Sequence, residues 1–182
     1  MRMVAPRYFT ADMVRAIPDD GKRYETVYGE LLVSPSPRPL HQLVLARLQL
    51  AVGVYLQTHP AGLMLASPAD ISWAPDVLVQ PDLFVVDRDQ ARALDWSRMQ
   101  RLLLAVEILS PSSVRADRFV KRAAYQRYGV ETYWLVDADE QLVEVWTPGA
   151  VFPVAIDAEL RWHPAGASAD FVLRLNELFA PV

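Results

Sequence analysis

The stretch Leu102-Leu-Leu-Ala-Val-Glu-Ile-Leu109 constrains this chain more than any other. Its alternating positions are apolar on both sides: Leu102, Leu104, Val106 and Ile108 on one, Leu103, Ala105 and Leu109 on the other. A strand carries such a sequence where both faces of its sheet are covered, so the run predicts a central strand between two layers. Glu107 breaks the pattern. An unpaired carboxylate buried there would cost on the order of several kcal/mol unless a cation, a proton or a metal compensates it.

A partner for Glu107 follows from a second apolar run, Asp82-Leu-Phe-Val-Val-Asp87, which a polar stretch from Arg88 to Arg101 separates from the first. If the two pair antiparallel with Asp87 opposite Leu102, then Val86 faces Leu103, Phe84 faces Ala105 and Asp82 faces Glu107. Directly opposed residues share a sheet face with Cβ atoms about 4.5 to 5.5 Å apart. Two carboxylates that close call for a cation between them. Pro75-Asp76 is a competing Pro-Asp pair, but in this register its partner would be Ser113, beyond the strand-ending Pro111.

After Ser110-Pro-Ser-Ser113, the chain from about Ser113 to Tyr128 reads as a helix, with a serine as N-cap and Gly129 just past its end. Lys121 lies two turns into this helix, which can run back across the face that carries the carboxylates. Asp, Glu and Lys converging on a sheet suit metal-assisted phosphodiester hydrolysis. Hard oxygen ligands hold Mg²⁺, the metal activates a water, and an ammonium steadies the developing phosphate charge. Tyr125, one turn beyond Lys121, shares its helix face.

Pro81-Asp82, Glu107 and Lys121 together resemble the PD-(D/E)XK nuclease superfamily. Within it the chain resembles the Uma-type family, described as "putative restriction endonucleases". The similar words are Arg23-Tyr-Glu-Thr-Val-Tyr-Gly-Glu-Leu31, Ser34-Pro-Ser-Pro37 followed by His41, and Gln80-Pro-Asp-Leu83. Val106-Glu-Ile-Leu-Ser-Pro-Ser112, Lys121-Arg-Ala-Ala-Tyr125 and Gly129-Val-Glu-Thr-Tyr-Trp-Leu-Val-Asp137 complete the set. One departure stands out: the superfamily's lysine would fall two residues after the glutamate, where this chain has Leu109. The resemblance implies that Lys121 has taken over that role. It also implies Mg²⁺ or Mn²⁺ held by Asp82, Glu107 and the backbone carbonyl of Ile108, with Glu30 near the site as a third carboxylate. His41, at a helix start, is a candidate proton donor or acceptor.

The implied fold is α+β, a restriction-endonuclease-like core with a mixed central sheet flanked by helices. The implied function is a metal-dependent endonuclease acting on nucleic acid, DNA before RNA, with a homodimer expected if both strands of a duplex are cut. Two rivals stand beside it: a nuclease-like scaffold that binds nucleic acid or protein without cutting, and a hydrolase of small phosphoesters.

A length of 182 residues predicts one domain, residues 1–182, with room for a sizeable core. With no cysteine in the sequence, disulfides and thiolate metal sites are excluded. Met1 to Thr10 holds no apolar h-region, and the expectation is a cytoplasmic protein. The net charge of −4 and pI near 5.3 argue against a strongly basic nucleic-acid binder. The stretch from Ser113 to Gly129, which holds the predicted helix, is the basic exception, with Arg115, Arg118, Lys121, Arg122 and Arg127 against Asp117 alone, a face that suits a phosphate backbone.

The other elements are read in order. Thr10 caps a short helix to Ile17. Tyr24–Tyr28 and Glu30–Val33 form a strand pair around Gly29, and His41 opens a helix to about Gln57, apolar at 43, 44, 48, 50, 51, 54 and 55. Strand material follows at Leu63–Ala66 and Ile71–Val79, with a short helix near Gln90–Leu94. Further strands are expected at Thr132–Asp137, Gln141–Trp146, Val151–Ile156 and Glu159–His163, and Phe171–Phe179 as an apolar tail or short helix. His59 and His163 carry no pattern.

Overall fold

A computed structural model describes residues 8–182, so most of the Met1–Thr10 stretch lies outside the described residues. The Glu107 strand, β7 (Leu102–Ile108), is buried along its whole length. It sits inside a six-stranded mixed sheet, between β6 (Leu83–Asp87), antiparallel to it, and β8 (Tyr133–Asp137), parallel to it. The parallel step needs a crossover, and the helix carrying Lys121 supplies it. Beyond β8 come β9 (Leu142–Trp146) and β10 (Val154–Ile156); beyond β6 lies β3 (Gly62–Ala66).

Strand alternation sends the two faces of β7 into different layers. Leu104, Val106 and Ile108 join a core with Val44, Leu48 and Val52 of α2 (Pro39–Thr58). The same core takes in Leu160, Trp162, Phe171 and Leu175 of β11 (Glu159–Trp162), β12 (Phe171–Arg174) and α5 (Leu175–Leu178). Ala105 and Leu109 look the other way, toward Phe84, Tyr125 and Tyr133 and toward a second sheet. That sheet has the order β2-β1-β5-β4, built from β1 (Arg23–Val27), β2 (Glu30–Ser34), β4 (Ile71–Ala74) and β5 (Val77–Val79). Glu107 shares the parity of Ala105 and Leu109, so its side chain enters this second layer.

The predicted β6–β7 register holds from Leu83 to Val85, stops short of the Asp82–Glu107 pair because β6 begins at Leu83, and slips at the other end. Leu83 faces Val106, Phe84 faces Ala105 and Val85 faces Leu104, as expected. Val86, however, pairs with Leu102 rather than Leu103: a bulge absorbs one residue, and Leu103 is left packing with the α2 core. Pro75-Asp76 turns a hairpin between β4 and β5, so the strand material expected over Ile71–Val79 forms two strands. Tyr28 and Gly29 turn β1 into β2 with φ of 52° and 81°, the two positive values of a type I′ hairpin. A Cβ on Gly29 would run into the Tyr8 ring.

Helix α2 begins two residues before His41, because Pro39 at its first turn needs no hydrogen-bond donor and has φ preset. Its buried stripe is His41, Val44, Leu48, Val52, Tyr55 and Leu56, while Leu50 and Val54 face outward, so the helix is covered on one side only. Two short helices complete the set, α1 (Ala11–Arg15), capped by Thr10, and α3 (Arg88–Ala91). The Lys121 helix is α-helical at Val114 and Arg115, widens into a π segment, Ala116–Lys121, and continues as α4 (Arg122–Arg127). Phe171–Phe179 divides into β12 and α5. Among the described residues no helix is long and apolar enough to cross a membrane.

Candidate active site

The chain leaves the small sheet at Val79, passes through Gln80-Pro81-Asp82, and enters the large sheet at Leu83. Asp82 therefore stands at the junction of the two sheets. Its carboxylate is almost fully buried and accepts three hydrogen bonds. Oδ2 takes the Ile108 N–H at 2.8 Å and lies 3.0 Å from His41 Nε2; Oδ1 takes Arg23 Nη1 at 2.7 Å. Burial would raise the Asp82 carboxyl, but the His41 hydrogen bond and the Arg23 charge override it and hold it well below the usual carboxylate range.

Behind Asp82 lies a sealed group of charges. Lys121 Nζ is 2.6 Å from Glu107 Oε1, 2.9 Å from Glu25 Oε1 and 3.4 Å from Asp117 Oδ1. Tyr125 donates its hydroxyl to Glu107 Oε1 at 2.6 Å, and Glu25 Oε1 also accepts the Gln80 N–H at 2.6 Å. The group draws on four elements: Glu25 from β1, Glu107 from β7, Asp117 and Lys121 one turn apart on the π segment, and Tyr125 from α4. The wider π turn, a feature found at functional sites, places Asp117 and Lys121 on the inward face together. Burial would lower the Lys121 ammonium, yet its three carboxylate neighbours hold it above its ordinary value. Burial pushes the Glu107 carboxyl up, against the pull of Lys121, and does the same to Asp117.

A cleft of about 680 Å³ opens over the Asp82 side of this group. Asp82, Ile108, His41 and Arg23 line its inner part, with Lys22 and Arg38 farther out. Its walls include Ser34–Pro37 and Ser110–Ser112, both within family-like stretches of the sequence.

A sequence model of a family, Uma2, described as "Putative restriction endonuclease", matches residues 11–172, nearly the whole chain. The chain belongs to the Uma2 family. A solved structure titled as a "putative nuclease belonging to DUF820" from Anabaena variabilis shares the fold. It superposes with a TM-score of 0.76, covering 94% of this chain and 98% of that one at 21% identity. No curated protein matches.

The sequence candidates of this Uma2 chain divide into two groups. Asp82, Glu107, Lys121 and His41 converge around the sheet junction, together with the Ile108 backbone. Glu30 does not: it is exposed at the start of β2, and its carboxylate takes Arg115 Nη1 at 2.6 Å. The basic helix face also departs from expectation. Arg118 pairs with Glu144, Arg122 lies over the Trp146 ring and Arg127 over the Tyr28 ring, and none of these residues lines the cleft. Glu25 and Asp117 are the functional candidates that the sequence reading missed. Asp117 had a signal, since it precedes Lys121 by one helical turn. Glu25 had a weaker one, its place in a word shared with the family.

The donor set fits a hard divalent cation on three grounds. Glu107 Oε2 is buried with no hydrogen-bond partner. The four buried carboxylates, Glu25, Asp82, Glu107 and Asp117, outnumber two cations, Arg23 and Lys121, and burial already presses the Glu107 and Asp117 carboxyls toward their uncharged forms, so the group has room for a further positive charge. The oxygen donors available, Asp82, Glu107 and the Ile108 carbonyl, are of the kind that Mg²⁺ and Mn²⁺ prefer. Among the described residues no three His, Asp or Glu side chains already converge as a coordination shell, so a backbone or water ligand is required.

Proposed function

We propose that this Uma2 chain is a metal-dependent endonuclease that hydrolyses phosphodiester bonds in nucleic acid, with DNA as the substrate. The observation that carries the reading is the unpartnered, buried Glu107 Oε2, in a group where four buried carboxylates meet two cations, beside an Asp82 that floors an open cleft. Asp82, Glu107 and the Ile108 carbonyl would hold the ion. Mg²⁺ or Mn²⁺ there supplies a water of lowered pKa and offsets charge on the phosphate oxygens.

The chain's own residues prepare the site. The Ile108 N–H and His41 fix the direction of Asp82 Oδ2. Lys121 and Tyr125 hold Glu107 Oε1, so the other oxygen is left for a ligand. Lys121 is 1% exposed and lies against three carboxylates, which makes it the counter-ion that keeps the carboxylates together. His41 lines the cleft and meets Asp82 through Nε2, with Nδ1 buried and without a partner; in the neutral form that donates Nε2–H, Nδ1 is a free proton acceptor. Lys22 and Arg38 on the cleft wall, paired at the surface with Asp20 and Asp139, are the basic groups that a phosphate backbone would have to recruit from those partners. One cutting site per chain implies a homodimer for duplex cleavage.

The test is cleavage of plasmid and single-stranded DNA with Mg²⁺ or Mn²⁺, wild type beside Asp82→Ala and Lys121→Ala. The reading expects metal-dependent cutting that Asp82→Ala abolishes. A binding scaffold without activity has one observation in its favour, the complete hydrogen bonding of Asp82. Failure of the wild type to cut either DNA or RNA, with retained nucleic-acid binding, would establish that alternative.

A further inference from the structure

Two side chains of the cleft touch Asp82, and they hold it differently. Oδ2 has two partners, the Ile108 N–H and His41, which lie within the packed interior. Oδ1 has Arg23 alone. The strand alternation of β1 sets Arg23 and Glu25 on one face, so the guanidinium also reaches the Gln80 carbonyl at 3.1 Å and stands 3.9 Å from Glu25 Oε2. Unlike Lys121, the Arg23 side chain is 23% exposed and borders the open cleft. Its long stem can leave Asp82 for the cleft without disturbing the core.

The inference rests on the metal-dependent reading above. We propose that Arg23 is the resident counter-cation of the site: its guanidinium holds Asp82 Oδ1 in the metal-free protein and yields that oxygen to an incoming divalent cation. Charge favours the exchange. Exchanging the guanidinium for a dication adds one positive charge to a group in which four buried carboxylates meet two cations. Asp82 therefore remains paired in both states, which avoids the large cost of a buried, unpartnered carboxylate. Arg23 is a positioning residue, since it acts through Asp82.

The test is calorimetric titration of the EDTA-treated full chain with Mn²⁺, comparing wild type, Arg23→Gln and Asp82→Ala, with melting temperatures measured in EDTA and in Mn²⁺. With its competitor removed, Arg23→Gln binds Mn²⁺ about tenfold or more tighter than wild type. It melts lower than wild type in EDTA and regains most of that loss in Mn²⁺, a recovery that a purely structural arginine would not show. Binding by Arg23→Gln alone, with wild type silent, supports the exchange as well. If Asp82→Ala abolishes binding but Arg23→Gln binds no tighter than wild type, the metal site stands and the exchange is wrong. If neither wild type nor Arg23→Gln binds, both readings fall. Should Arg23→Gln not fold in EDTA, folding on Mn²⁺ addition supports the exchange. If it folds in neither, Arg23→Lys, which loses the fork, decides by whether its affinity exceeds that of wild type.

Discussion

Lys121 Nζ stands 2.6 Å from Glu107 Oε1 on the large sheet and 2.9 Å from Glu25 Oε1 on the small one, so a single ammonium joins the two layers. The helix that carries it is thereby tied across the junction where Asp82 lies. Removing one member of a buried ion group leaves its partners uncompensated, at about 3–5 kcal/mol. Lys121→Met keeps most of the stem's packing and removes the charge, so urea denaturation of the metal-free variant should show a loss of that size. A loss below about 1 kcal/mol would mean that the carboxylates are neutralised without it.

Glu107→Gln separates stability from chemistry. Burial favours the uncharged form of this carboxyl, so the metal-free variant should lie within about 1.5 kcal/mol of wild type, the scale of one altered hydrogen bond. Its cleavage of DNA should fall by at least about a hundredfold, as a lost metal ligand implies. Urea melts and plasmid cleavage on one preparation check both. A large loss of stability with intact cutting would reverse the assignment.

Much of the fold was legible because β7 could only be a central strand. Both apolar faces of Leu102–Ile108 are covered, and the pairs at Leu83, Phe84 and Val85 are those that the two runs dictated. The bulge at Leu103 was not legible, since nothing local in Val85-Val86 or Leu102-Leu103 prefers it. Glu25 escaped for a related reason. Arg23-Tyr-Glu-Thr-Val alternates as a half-solvated strand does, and only the docking of β1 against the Lys121 helix buries its polar face. Glu30, five residues on, has similar local credentials but begins the outer strand of that sheet and meets solvent.

That placement gives Glu30 a modest role. Its pair with Arg115 has side-chain exposures of 44% and 71%, so the contact is worth about 0–1 kcal/mol. Glu30→Gln should cut DNA within about twofold of wild type. A tenfold drop in cleavage would restore Glu30 to the site.

Asp117 offers a pH dependence that does not involve the proposed metal ligands. Burial raises its carboxyl above the ordinary aspartate value, despite the nearby Lys121 and a hydrogen bond from Ser113. Below about pH 3.9 the group is protonated in both the folded and the unfolded chain and contributes nothing to the difference. As pH rises beyond that, the unfolded chain releases the proton first and the folded chain retains it, so this group lowers stability progressively until its raised folded value is passed. Asp117→Asn removes that fall. Its stability relative to wild type should therefore increase between about pH 4 and pH 7, by about 1.4 kcal/mol for each unit by which the folded value is raised. Urea denaturation of both proteins across that range in EDTA measures the difference. A variant that instead loses ground as pH rises would show that Asp117 is held as a carboxylate by Lys121, and that the ion group contains a third fixed negative charge alongside Glu25 and Asp82.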